Sequence, residues 1–132
     1  MNVLKAIRAK LIGDAAVKEL LPGNQCYAVV APQGAAMPFV VLSVVGNDPN
    51  DTKSGVSDVD AFRIQIDSYA LTYDGCQDLD EKCRTVIDKY MGPSIDDINI
   101  DGVRYLSSLD FFENDPQEYR RSSDYTVRIK YS

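Results

Sequence analysis

The sequence predicts an α+β domain: a single, mostly antiparallel β-sheet with helices packed on one of its faces. Two adjoining stretches carry the prediction. From Ala61 to Ala70, Phe62, Ile64, Ile66, Ser68 and Ala70 point one way and Arg63, Gln65, Asp67 and Tyr69 the other, the period of two of a strand with one face on a core. After a break at Thr72–Gly75 the period changes. Cys76, Leu79, Cys83, Val86 or Ile87, and Tyr90 recur three or four residues apart among polar residues, which makes Asp74–Tyr90 a helix with one apolar stripe. A half-apolar strand followed by a half-apolar helix buries both faces most simply by packing one on the other.

The remaining elements build on that unit. Asn2 suits the cap of a helix whose apolar face is Val3, Leu4, Ile7, Leu11 and Ile12. Gly13 interrupts it, and Asp14 caps a second short helix, Ala15–Leu21, stopped by Pro22-Gly23. Gln25–Ala31 reads as a strand closed by Pro32-Gln33-Gly34, and Phe39–Val45 as a second, entered through Pro38. Its near-continuous apolar run implies burial on both faces, or a core on one and a neighbour on the other.

Gly46–Gly55 is rich in turn residues and is expected to be a polar, projecting loop. The long strand and helix follow, and Gly92-Pro93 stops the helix. Beyond it, Ile98–Ile100 and Val103–Leu106 flank Asp101-Gly102, the pattern of a tight hairpin. The strand from Val103 continues to about Phe112, Glu113–Glu118 is a polar turn with Pro116, and Tyr119–Tyr131 is the final strand. In it Tyr125, Val127, Ile129 and Tyr131 share a face opposite Thr126, Arg128 and Lys130. The expectation is one domain over residues 1–132, without repeat or linker.

Composition narrows the function. Hydrophobic residues make up 45% and charged residues 26% of the 132, an ordinary balance for a folded domain. The longest apolar runs, such as Pro38–Val45, fall far short of the ~20 residues of a membrane helix. Lys5, Arg8 and Lys10 interrupt the apolar pattern of the N-terminus, unlike a signal peptide. The net charge of −6 disfavours nucleic acid as a bound partner, and an acidic surface near DNA repels it. Cys76 and Cys83 sit about 10 Å apart along their helix, beyond the reach of a disulfide. With Cys26 they read as small buried hydrophobes of a reducing compartment.

Catalytic patterns are weak. With no histidine in the chain, a serine or cysteine nucleophile lacks its usual base and the mixed zinc sites vanish. Asp96-Asp97 and Asp78-Asp80 read as solvated carboxylates, and no glycine-rich phosphate loop exists. Asp97–Gly102 matches the opening of a calcium loop, but Ser108 stands where the bidentate Glu belongs and the flanks alternate as strands. Asp48, Asn50 and Asp51 read first as turn residues. No catalytic, cofactor or metal site is expected. Arg120-Arg121 enter the last strand, so only one can share the outer face with Arg63 or Arg104. Two readings stay open: edge charges that block aggregation, or ion pairs to an acidic patch on an identical neighbour.

Four stretches in order carry a resemblance across nearly the whole chain: Asp14-Ala15-Ala16-Val17 after the opening helix; Ala31–Val41; Phe62–Ala70 running into its helix; and Tyr119–Val127. In this the chain resembles the tail completion, or tail terminator, family of long-tailed bacteriophages and prophages. It departs from the family in Gly46–Gly55 and Met91–Ile98. The resemblance implies an α+β virion protein, not an enzyme, made in the host bacterial cytoplasm and placed at the head-proximal end of the tail tube. There it would form a ring, typically a hexamer, stop tube polymerisation and dock to the head connector. Implied partners are further copies of the chain, the tube protein and connector or neck proteins, with DNA passing through but not specifically bound. A head-closure or neck adaptor is the nearest alternative, and a small-ligand-binding module the alternative from another class. Candidate contact residues are Asp48, Asn50, Asp51 and Lys53 in the projecting loop, then Arg63, Arg104, Glu113, Arg120 and Arg121 on the strands.

Overall fold

Alternation along the strands and a 3.6-residue stripe along the helices produce a two-layer domain. The computed structural model describes residues 3–52, 55–90, 94, 98–114 and 117–130, with the backbone alone at 22, 47–52 and 55–59. Helices α1 (Val3–Ile12), α2 (Ala15–Leu20) and α3 (Tyr73–Ile87) lie on one side of a sheet built from β1 (Cys26–Ala28), β2 (Phe39–Thr52), β3 (Gly55–Ala70), β4 (Ile100–Asn114) and β5 (Gln117–Lys130). The strand order is β1-β2-β3-β5-β4. Only β1 and β2 pair parallel; the other three ladders are antiparallel.

The helical half follows its local signals. A Cβ at Gly13 would lie 3.0 Å from the Ala9 carbonyl, so the chain turns tightly there. Asp14 then caps α2, accepting from the Ala16 and Val17 amides at 2.9 and 3.2 Å. Thr72 caps α3 by accepting from the Gly75 amide at 3.0 Å. Cys76, Leu79, Cys83 and Ile87 are buried along α3, as are Val3, Leu4, Ile7 and Leu11 of α1. These side chains meet Val40, Leu42, Ile64, Ile66, Tyr125, Val127 and Ile129 of the sheet in one core. Each fully buried aliphatic contributes about 1.5–3 kcal/mol of transfer free energy.

Several expectations need correction: Glu113–Glu118 is not all turn, since Glu113 pairs with Glu118 and Asn114 with Gln117 in the β4–β5 ladder, and Asp80 is buried rather than solvated. The first strand spans Cys26–Ala28 only, because Val29 turns to φ +69°, a left-handed conformation foreign to a strand. Gly46–Gly55 is not a projecting loop; Gly46 pairs with Arg63, Asp48 with Ala61 and Thr52 with Gly55, so β2 and β3 form one long hairpin. Ladder formation there overrides the turn preference of its Asn and Asp residues. Asp101-Gly102 makes no hairpin: β4 runs straight through, and the irregularity between Ile100 and Gly102 is a bulge against Ile129 and Arg128. Finally, α3 ends at Ile87, with only its partly buried neighbour Tyr90 still packing on the core. The Asn2 cap, the Gly92-Pro93 stop, Asp96, Asp97, Lys53, Pro116 and Tyr131 lie outside the described residues.

Tyr125 illustrates a cost that burial imposes. Its ring is fully buried and meets Tyr105 edge-on at 5.5 Å, yet its hydroxyl has no hydrogen-bond partner among the described residues. Burial also pushes its pKa well above the ordinary phenol value. Tyr125→Phe is therefore expected to raise stability by about 1 kcal/mol, since it removes an unsatisfied polar atom and keeps the ring. A denaturant midpoint shift of either sign decides the point.

Candidate protein–protein interface

The face of the sheet opposite the helices carries a row of side chains that crosses all five strands. Tyr27 of β1 meets Phe39 of β2 edge-on at 6.1 Å, and Phe39 stacks on Tyr69 of β3 at 4.6 Å. The Arg120 guanidinium of β5 lies 5.9 Å from the Tyr69 ring centre and 4.1 Å from that of Phe111 on β4. Register explains the row, since Phe39 pairs with Tyr69, Tyr69 with Arg120, and Arg120 with Phe111. Such stacked and cation–π contacts each contribute about 0.5–1.5 kcal/mol and fix the side chains in place. Beside the row, Ser122 donates to Asp67 at 2.5 Å and Gln65 donates to Asp67 at 3.0 Å and to Ser122. Asp67 and Ser122 are buried although no helix covers them.

The sequence-predicted arginines divide between the two faces. Arg63, Arg104 and Arg120 share the uncovered face; Arg63 and Arg104 both flank Thr126 in one register row. Arg63 donates to Asp124 of its own subunit at 2.8 Å, whereas Arg104 makes no ion pair among the described residues. Arg121 faces the helices. Its Nε lies 2.9 Å from Asp80 of α3 and its Nη1 2.9 Å from Asp110 of β4. Ser123 adds a hydrogen bond to Asp80 at 2.6 Å, and Tyr73 one to Asp110 at 3.3 Å. Asp80 is buried, and burial pushes its carboxyl above the ordinary value while Ser123 and Arg121 pull it down. This cluster ties α3 to β4 and β5 within the subunit. Glu113 is exposed near the end of β4. Asp48, Asn50 and Asp51 lie on the far half of β2, at a distance along the strand from the Arg120 row.

Sequence reasoning missed the apolar surface of β4. Leu106, Leu109, Phe111 and Phe112 are 40%, 66%, 43% and 50% exposed. Leu109-Asp110-Phe111-Phe112 was the legible signal: apolar residues fall on both faces of one strand, a pattern expected where both sides meet protein. A second exposed apolar group, Val29, Val30, Val44 and Val45, lies at the β1–β2 side of the sheet. No helix is long and apolar enough to cross a membrane, among the described residues.

The arrangement suits contacts between proteins. The sequence profile of the tail completion protein gp17 family matches residues 5–130. Among curated proteins no sequence matches. The fold is similar to that of a chain in the "Virion of native gene transfer agent (GTA) particle", with a TM-score of 0.72 and 18% identity, covering 97% of this chain and 94% of that one. The profile match over nearly the full length means that the chain belongs to the tail completion protein gp17 family, the structural proteins of phage-type tails.

Proposed function

We propose that the chain forms a ring at the head-proximal end of a phage tail, ends the growth of the tail tube there, and provides the surface that joins tail to head. The observation that carries this reading is the pair of exposed apolar groups on opposite sides of one sheet. Two different patches on one subunit suit a head-to-tail contact, and a head-to-tail contact whose rotation closes makes a ring. Exposed apolar surface on a soluble chain marks a place where protein meets protein. The tube protein and a head connector are the partners such a ring would contact above and below. The net charge of −6 suits a passage that DNA crosses without adhering.

Phage particles produced without this chain test the proposal. Tails of uncontrolled length that fail to join heads, rescued by supplying the protein, are expected. Normal tails joined to heads in its absence would remove the proposed role. Electron microscopy of the rescued tails should show a ring of identical subunits at the head-proximal end.

A further inference from the structure

The backbone of the sheet edges shows where one copy meets the next. Two edge stretches are closed within the subunit. On β1, the Cys26 carbonyl accepts from Arg8 Nε at 2.8 Å and the Ala28 carbonyl from the Val30 amide at 2.8 Å. On β4, the Val103 carbonyl accepts from the Lys89 amide at 2.9 Å, and the Tyr105 amide donates to Asp88 at 3.1 Å. Residues just after α3 thus cover the first half of β4.

Two stretches remain open among the described residues. The bulge between Tyr105 and Ser107 changes which residues face outward, so beyond it the amides and carbonyls of Ser108, Asp110 and Phe112 point away from β5. On β2, pairing with β1 ends at Leu42, so Val44 and, past the next bulge, Asn47 present their backbone groups to the edge. Pro49 has no amide to offer and limits that stretch.

We propose that the second half of β4, Leu106–Asn114, pairs with the Val44–Asn47 edge of β2 in a second copy, so that the sheet continues from subunit to subunit. The proposal rests on the ring reading and names the contact that builds the ring. Three observations favour a second copy as the occupant. Within one subunit β2 and β4 run in opposite directions, because three antiparallel ladders separate them. A neighbour placed by rotation about an axis along the strands therefore meets β4 antiparallel, with its helices on the same side. The exposed apolar side chains gather at these same stretches, Leu106, Leu109, Phe111 and Phe112 on one and Val44 and Val45 on the other. Finally, the open stretches are staggered. Asp110 stands level with Val40 through Arg121 and Ser68, below the start of the open β2 edge at Val44. Stagger between first and last strands is what a sheet of tilted strands needs to close on itself.

The test uses the full-length chain in purified tails and in solution. Phe112→Pro and Val44→Pro each remove one outward amide, while Phe112→Ala and Val44→Ala keep it. Both prolines are expected to abolish the ring, or weaken subunit association at least tenfold, with the circular dichroism of the monomer retained; both alanines are expected to keep the ring. Combining Phe112→Cys with Val44→Cys, which share the helix-covered face of the sheet, should give covalent ladders up to the closed ring under a short bismaleimide. The native thiols do not interfere, since Cys26, Cys76 and Cys83 are buried. Rings that persist in both proline variants would overturn the contact while leaving the ring itself standing. Covalent dimers from Phe112→Cys alone would also overturn it, because they would show β4 meeting β4. Wild-type tails without a ring would overturn the functional reading, and this contact with it.

Discussion

Arg121→Ala is expected to destabilise the fold by about 3–5 kcal/mol, the usual cost of stripping a buried charge of its partner. Asp80 is buried on α3, 2.9 Å from the Arg121 guanidinium. Removing the arginine leaves that carboxylate with the Ser123 hydrogen bond. Asp80→Asn is expected to cost only about 1 kcal/mol or less, because the amide oxygen still accepts from Ser123 and no charge is buried. Arg121 then keeps Asp110.

The pH dependence separates this account from a simple loss of packing. Burial holds the folded Asp80 carboxyl above its ordinary value. Ionising it in the fold is therefore costly, and that cost appears as pH rises through the folded pKa and disappears as pH falls below it. Without Arg121 the carboxyl climbs further. The Arg121→Ala variant should accordingly regain part of its stability on going from about pH 7.5 to about pH 5, more than the wild type does over the same range. Thermal melts at both values measure it, and a variant that instead loses stability in acid contradicts the assignment.

Ile64→Ala is the second large effect, about 2–5 kcal/mol, from lost transfer free energy and the cavity left behind. Ile64 is fully buried in the middle of β3, level with Val44 on one side and Tyr125 on the other. Its chain neighbour Arg63 points to the uncovered face, where its pair with Asp124 is half in solvent. Arg63→Ala should cost no more than about 1 kcal/mol. Chemical denaturation of the two variants would thus display the period of two directly. Similar losses at both positions would mean that the uncovered face is itself packed in the isolated subunit.

Much of this was legible in the residues. The alternation from Ala61 to Ala70, the stripe Cys76–Leu79–Cys83–Ile87, and the Asp14 cap act within a few residues of chain. Their periods and hydrogen bonds need no distant partner to be recognised. The fold class and the helix-covered face follow from them, and so does the ordered set of stretches that resembles the tail completion family.

Distance along the chain set the limit of that reading. Gly46–Thr52 reads as a loop by composition, and only its ladder with β3 makes it a strand. Asp101-Gly102 has the residues of a tight turn, yet pairing with Arg128 and Ile129 on β5 draws the chain straight. Local pattern says that Arg120 and Arg121 must face opposite ways, but not which faces the helices. The placing of β5 between β3 and β4 decides it, bringing Arg121 to Asp80 and Asp110 and Arg120 to Tyr69 and Phe111. The sequence determined the helices and the central strand, because propensity and periodicity are local. Strand order and register decided which backbone edges and apolar side chains stay open for a partner, because those depend on residues brought together from distant parts of the chain.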